Sequence, residues 1–200
     1  MFTGIIEYTG KVLSSKTLGE GLEMRICSTA FGEDIQIGES ISINGACTTV
    51  CKHQNQEITI QILKETLEKT TFSTLSSETI LNIERSLTLE KRLGGHYLTG
   101  HIDGTGKIVD MKTQDMWQVI TVEYPKEFAC LLVMKGSIAI DGISLTVSQL
   151  TNTTFGIHLI PHTLSHTNLS TLKVGHHVNL EFDLIGKYIH RYQEVLNDGK

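Results

Sequence analysis

The sequence predicts an all-β protein: two tandem copies of a small antiparallel barrel, about six short strands in each, followed by one C-terminal α-helix. Three observations carry this reading. The chain repeats itself: Phe2-Thr3-Gly4-Ile5-Ile6-Glu7-Tyr8-Thr9-Gly10-Lys11-Val12 returns 96 positions on as Leu98-Thr99-Gly100-His101-Ile102-Asp103-Gly104-Thr105-Gly106-Lys107-Ile108. Ser40 through Val50 returns as Ser137 through Val147, Thr66-Leu67 through Leu75 as Thr163-Leu164 through Leu172, and Asn82-Ile83-Glu84 as Asn179-Leu180-Glu181. Such a period exceeds the roughly 20–50 residues of solenoids and matches a whole small domain. Period-two alternation then dominates each copy. Finally, there are only two prolines and no long helical segments between the strand patterns.

The elements follow in order. In the first copy Leu22, Met24 and Ile26 alternate with Glu23 and Arg25, Ile41 and Ile43 flank Ser42, and Ile58, Ile60 and Ile62 flank Thr59 and Gln61. Short, β-branched runs bounded by glycine or polar clusters read as strands, and closing them into a barrel removes the exposed sheet edges. A short helix is expected at Lys64–Lys69. The joint falls at Thr88–Gly95, with Gly94-Gly95 as a flexible hinge. The second copy matches with Val119–Glu123, Ile138 and Ile140, then Phe155, Ile157 and Leu159, and a helix counterpart beginning at Pro161, whose fixed φ suits the first helical turn. The longer helical pattern lies outside the repeat. Ile185, Tyr188, Ile189, Tyr192 and Leu196 fall on one face, which packs either on its own barrel or on another subunit. The domain boundaries are therefore 1–90, 91–184 and 185–200.

A 200-residue chain with 40% hydrophobic and 20% charged residues has enough apolar side chains for a core in each copy. A net charge of −5 without any basic stripe argues against nucleic acid. The start Met1-Phe2-Thr3-Gly4 lacks the features of a signal peptide, and no apolar run is long enough to span a membrane, so a cytoplasmic protein is expected. Cys27, Cys47, Cys51 and Cys130 have no zinc-ligand spacing and read as free thiols; no metal is expected.

Some motifs lead nowhere. Gly142-Ile143-Ser144-Leu145-Thr146 lacks the closing glycine of a nucleophile elbow, and Gly100, Gly104 and Gly106 are not spaced as a dinucleotide-binding loop. Differences between the copies are more telling. Cys47 stands where the second copy has Ser144, His101 where the first has Ile5, and Asp183 where the first has Ser86. Singly, each has an ordinary structural reading: a small core residue, a satisfied histidine, a solvated carboxylate. Together they place a thiol, an imidazole and a carboxylate inside otherwise shared segments.

Met1-Phe2-Thr3-Gly4-Ile5-Ile6-Glu7, Asn44-Gly45-Ala46-Cys47-Thr48-Thr49-Val50, Gly94-Gly95-His96 with Gly100-His101-Ile102, and Asp141-Gly142-Ile143-Ser144-Leu145-Thr146-Val147 together resemble the alpha-chain type of riboflavin synthase over essentially the whole chain. The resemblance implies two six-stranded Greek-key barrels plus a C-terminal helix, assembled as a homotrimer through the helices. It implies a cofactor-independent dismutation in which two molecules of 6,7-dimethyl-8-ribityllumazine give riboflavin and 5-amino-6-(D-ribitylamino)uracil. The site is expected between the first barrel of one subunit and the second barrel of another, one lumazine from each.

Carried over by position, the catalytic candidates are Ser40, Cys47, His101, Ser144, Thr146 and Asp183. The binding candidates of the first barrel are Gly4, Ile5, Ile6, Cys47, Thr48, Thr49, Gln61, Ile62, Leu63, Lys64, Glu65 and Thr66. Those of the second are Gly100, His101, Ile102, Ser144, Leu145, Thr146, His158, Leu159, Ile160, Pro161, His162 and Thr163, with Lys135 reaching a neighbour's ligand. His101 with Thr146 or Ser144 would serve as acid and base, and Cys47 or Ser40 would assist addition or polarise. Thr48 departs from the pattern, which has leucine there. A non-catalytic lumazine- or flavin-binding antenna protein of the same fold is the alternative; association with a lumazine synthase stays open.

Overall fold

A computed structural model describes residues 1–198, so the last two positions of the 185–200 segment lie outside the described residues. In the first repeat, β1 (Tyr8–Leu18), β2 (Gly21–Cys27), β3 (Ser40–Ile43), β4 (Ala46–Gln54), β5 (Glu57–Ile62) and β6 (Ile80–Arg85) close into a barrel in the order β1-β2-β5-β4-β3-β6, with α1 (Lys64–Lys69) between β5 and β6. The second repeat rebuilds that order with β7 (Gly104–Gln114), β8 (Trp117–Glu123), β9 (Ser137–Ile140), β10 (Ile143–Leu150), β11 (Thr154–Leu159) and β12 (His177–Phe182), with α2 (Pro161–His166) in the place of α1. All pairings are antiparallel, and consecutive β2 and β3 are not neighbours, which is the Greek-key crossover.

Alternation fills each interior. Met24, Ile26, Ile41, Ile43, Ile58 and Ile60 form the first core with Phe31 and Phe72; Ile120, Val122, Ile138, Ile140, Ile157 and Phe182 form the second. Ser42 breaks the expected pattern, since it is as buried as the isoleucines beside it. Its equivalent Ala139 is also buried and packs with Phe2 and Leu98. The outer face of β3 and β9 is covered, so only small side chains fit on it.

The hairpin turns Asn44-Gly45 and Asp141-Gly142 place both residues at positive φ, the type I′ geometry that asparagine, aspartate and glycine supply at least cost. These turns meet back to back. A Cβ on Gly45 would lie 2.7 Å from the Gly142 nitrogen, and one on Gly142 would lie 2.8 Å from the Gly45 nitrogen. Around them runs a buried lattice of near-twofold symmetry. Asn82 Nδ2 donates to the Asp141 carbonyl at 2.9 Å and Asn179 Nδ2 to the Asn44 carbonyl at 2.8 Å, while the Thr71 and Asn168 amides donate to the side chains of Asn179 and Asn82. The Asn82 and Asn179 side chains are thus bonded across the barrels, as burial demands.

The segments that precede each barrel cross over. Phe2 bridges to Leu98. The Ser144 amide of β10 then donates to the Gly4 carbonyl at 2.8 Å, and the Cys47 amide of β4 donates to the Gly100 carbonyl at 2.8 Å. Ile6 packs on the second core and Ile102 on the first. Gly4–Ile6 therefore belongs beside the second barrel and Gly100–Ile102 beside the first, the reverse of the assignment expected from sequence. The reason is geometric: the copies touch so closely at their turns that the arm of each reaches the other's strand end. The joint is also not a free hinge, because a Cβ on Gly95 would collide with the Thr3 carbonyl.

The C-terminal helix α3 (Leu184–Asp198) starts where the second barrel ends, and the Asp183 carboxylate accepts from the Ile185 amide at 3.0 Å as its cap. Ile185, Tyr188, Ile189, Tyr192, Val195 and Leu196 are all more than half exposed. The apolar stripe does not dock on its own barrel.

Candidate active site

Each arm is fixed by a buried carboxylate at the end of the last strand of its own barrel. Glu84 on β6 accepts from the Thr3 amide and hydroxyl at 2.8 and 2.7 Å and from the Gly4 amide at 2.9 Å. Glu181 on β12 accepts from the Thr99 amide and hydroxyl, both at 2.7 Å, and from the Gly100 amide at 3.0 Å. A carboxylate, with two acceptor oxygens, suits three such donors. Burial pushes the Glu181 carboxyl up, and the Thr99 and Gly100 bonds with the Lys187 ammonium oppose it. The clasp leaves Gly4 and Gly100 at positive φ and so close to the opposite barrel that a Cβ would lie 2.6 Å from that of Ser144 or 2.5 Å from that of Cys47. Only glycine fits there.

The first barrel carries a cavity of about 210 Å³ lined by Ala46, Cys47, Glu65, Thr66, Lys69, Thr70, Gly100, His101 and Ile102. Six of the residues expected from sequence thus meet in one place, and His101 faces Cys47 although it belongs to the arm of the other repeat. Gln61, Leu63 and Lys64 line an adjoining groove with Glu20 and Gly21. Ile62 and Leu159 turn into the cores, so these two positions can offer a ligand only their backbone, whereas Leu63 and Ile160 are exposed. Thr48 is buried and its hydroxyl donates to the Ile41 carbonyl at 3.0 Å. That bond satisfies the hydroxyl where the pattern has leucine. Thr49 is exposed, and Ser40 opens β3 with its carbonyl accepting from the Ser86 hydroxyl at 2.6 Å.

At the equivalent place on the second barrel, Ser144 lies against Gly4, with exposed Ile5 and Thr146 beside it. His158 is exposed; Pro161, His162 and Thr163 open α2. His162 stacks on His166 with ring centroids 4.1 Å apart, where the first barrel carries Glu65 and Lys69. Asp183 lines a cavity of about 300 Å³ between the start of β9 and α3, with Cys130, Ser137 and Ile189 among its walls. Lys135, exposed at positive φ, sits on the turn before β9.

The sequence reading missed His96. It is 8% exposed, and its Nδ1 lies 2.7 Å from the Ser144 hydroxyl. Burial holds its pKa below the usual histidine range, partly offset by the Asp183 carboxylate. The Gly94-Gly95-His96 triplet was visible, but nothing in it showed what the ring touches. The Glu84 and Glu181 clasps were signalled only as a glutamate repeated at one position on a strand.

Fold and site define a double-barrel protein whose two pseudo-equivalent strand ends, at Cys47 and Ser144, carry different polar groups, with a cavity at the first. The lumazine binding domain family matches residues 3–86 and 99–183. The riboflavin synthase of Bacillus subtilis (strain 168) is 38% identical over 200 residues, covering all of this chain and 93% of that one. That of Actinobacillus pleuropneumoniae is 38% identical over 192 residues, covering 96% and 89%. That of Mycobacterium tuberculosis (strain H37Rv) is 39% identical over 195 residues, covering 96% and 97%. In fold the chain resembles LumP complexed with 6,7-dimethyl-8-(1'-D-ribityl) lumazine, with TM-score 0.83, 22% identity and coverage of 91% and 99%. It resembles LumP complexed with riboflavin similarly, with TM-score 0.84 and 24% identity. The chain belongs to the riboflavin synthase family and carries two lumazine binding domains.

Proposed function

We propose that this protein is a riboflavin synthase, a transferase that joins two molecules of 6,7-dimethyl-8-ribityllumazine in the last step of riboflavin biosynthesis. One molecule gives a four-carbon unit to the other, yielding riboflavin and 5-amino-6-(D-ribitylamino)uracil, with no cofactor. The observation that carries this is the pairing of one repeated binding fold with two unequal polar sets: Cys47 and His101 at the first pocket, Ser144, His96 and Asp183 around the second. Equal folds suit two identical substrates; unequal polar groups suit a donor and an acceptor.

The 7-methyl group of the lumazine is acidic because its carbanion delocalises into the ring. One lumazine loses a proton there and attacks the second, which accepts a nucleophile at C7 and later gives up its four carbons. Bringing two bulky rings face to face is mainly proximity and orientation. His101 is the exposed imidazole of the first pocket and serves as acid or base with a hydroxyl from Thr146 or Ser144 of the facing barrel. Cys47 and Ser40 polarise or assist addition. Short Ser and Thr side chains and backbone groups bind the pyrimidine edge and ribityl hydroxyls.

On this reading the first barrel of one subunit faces the second barrel of another. The bare apolar stripe of α3 supports a homotrimer joined through it, with Lys135 reaching a neighbour's ligand. The same reading places the enzyme in the cytoplasm, and co-sedimentation with a lumazine synthase tests that partnership. Among the described residues no helix is long and apolar enough to cross a membrane.

Purified protein, freed of metal by chelation and given the lumazine alone, should form riboflavin, followed by its absorbance. Tight fluorescent binding without turnover would favour the antenna-type alternative.

A further inference from the structure

We infer that His96 is a positioning residue that fixes the hydroxyl of Ser144 in the second barrel's ligand site, so that Ser144 presents its proton to the ligand; this rests on the function proposed above. A serine hydroxyl is a rotor with one proton and two lone pairs. Left free, it points in any of three directions. Here Nδ1 of His96 holds it at 2.7 Å, and the backbone that carries the ring is itself held in place. The His96 amide donates to the Thr3 carbonyl at 3.2 Å, and Gly95 is pressed so closely on Ser144 that an added Cβ would stand 2.7 Å from the serine Cβ.

The other ring nitrogen decides the direction of the bond. Among the described residues, Nε2 of His96 is buried without a hydrogen-bond partner. A buried, unpaired N–H is rarer than a buried, under-satisfied acceptor, so the neutral ring carries its proton on Nδ1 and donates to Ser144. The serine oxygen is then an acceptor toward His96, and its own proton is available to an oxygen or ring nitrogen of the bound heterocycle. Burial lowers the ring's proton affinity, and the Asp183 carboxylate only partly restores it, which favours the neutral ring. With Nε2 sealed from solvent, His96 does not relay protons; it sets geometry. Cys47, the equivalent of Ser144, instead faces the first pocket beside His101.

The test is a double-mutant cycle on full-length protein with 6,7-dimethyl-8-ribityllumazine as substrate, comparing wild type, H96A, S144A, H96A/S144A and H96N. If His96 acts through Ser144, H96A lowers kcat about tenfold, as expected for one lost hydrogen bond to a reacting ligand, and leaves KM within about twofold. The double variant is then no slower than S144A. H96N recovers most of the rate, because its amide replaces the Nδ1 donor without any acid-base function. Wild-type kcat in folded H96A, or losses that multiply in the double variant, overturn the inference. Should thermal melting show that H96A is unfolded, H96Q with S144A is judged by the same criterion. Wild-type protein that binds the lumazine without turnover removes the proposed function and this inference with it; a working enzyme with an additive cycle removes the inference alone.

Discussion

The two barrels share strand order, turn geometry and arm clasp, yet several side chains around the first barrel's cavity have different counterparts on the second. The first pocket offers Cys47, Glu65, Lys69 and His101; the second offers Ser144 held by His96, and a His162–His166 stack. Shared positions are those where backbone conformation or burial leaves one solution. Gly4 and Gly100 lie under a strand end, Glu84 and Glu181 hold three donors each, and Asn82 and Asn179 bridge the barrels. The lesson is that the scaffold is symmetric because packing requires it, and that the chemistry varies where packing leaves side chains free.

The symmetry also fails inside the lattice, with a local cause. Asn168 of the second copy has an amide where the first copy has Thr71. Asp141, in the place of Asn44, spends its extra oxygen accepting from Asn168 Nδ2 at 2.8 Å, while Oδ1 accepts from the Asn179 amide at 2.8 Å. Asparagine suffices in the first copy, where Asn44 accepts from the Asn82 amide at 2.7 Å. The cost is a buried acid: desolvation raises Asp141 from 3.8 to about 6 against its two hydrogen bonds.

The strongest way to break the comparison is at the paired turns. Gly142→Ala and Gly45→Ala should each cost ~3–4 kcal/mol, since a side chain at positive φ also strikes the facing backbone. Thermal melts should show both variants lowered by similar amounts, and an effect confined to one would deny the twofold contact.

Next comes the buried acid. A folded pKa of about 6 against 3.8 unfolded means the native state binds more protons between those values. Its stabilising contribution is present below about pH 4 and lost as pH rises through about 6. Asp141→Asn should therefore remove ~2–3 kcal/mol of the stability difference between pH 4 and pH 7, read from denaturant midpoints. An unchanged pH slope would show that Asp141 does not titrate there.

The clasps sharpen the crossing of the arms. Glu181→Gln and Glu84→Gln each leave an amide N–H facing a donor, at ~2 kcal/mol. Hydrogen exchange should rise near Cys47 for Glu181→Gln and near Ser144 for Glu84→Gln. The smallest effect is Thr48→Val, ~1 kcal/mol by loss of the Ile41 bond, with no counterpart at Leu145, which carries no hydroxyl.

Much of this was legible in the sequence. Lys64–Lys69 and the helix at Pro161 were expected where they occur, because a six-residue helix between strands is a local event fixed by its own residues. The isoleucine alternation named the cores, and the stripe of α3 named an apolar face without deciding whether its own barrel covers it. Three things were not legible. Ser42 is buried because a second surface covers β3, His96 finds Ser144 across 48 positions, and the arms exchange barrels.

By itself the sequence determined two matched barrels, their order, and the unequal residues Cys47, His101 and Asp183, since periodicity and repetition are written along the chain. Tertiary structure alone decided which arm completes which pocket. In a near-twofold pair, either arm can match either strand end on paper. The back-to-back contact of Gly45 and Gly142 brings the barrels close enough for each arm to cross, and there the Cys47 and Ser144 amides bond to Gly100 and Gly4.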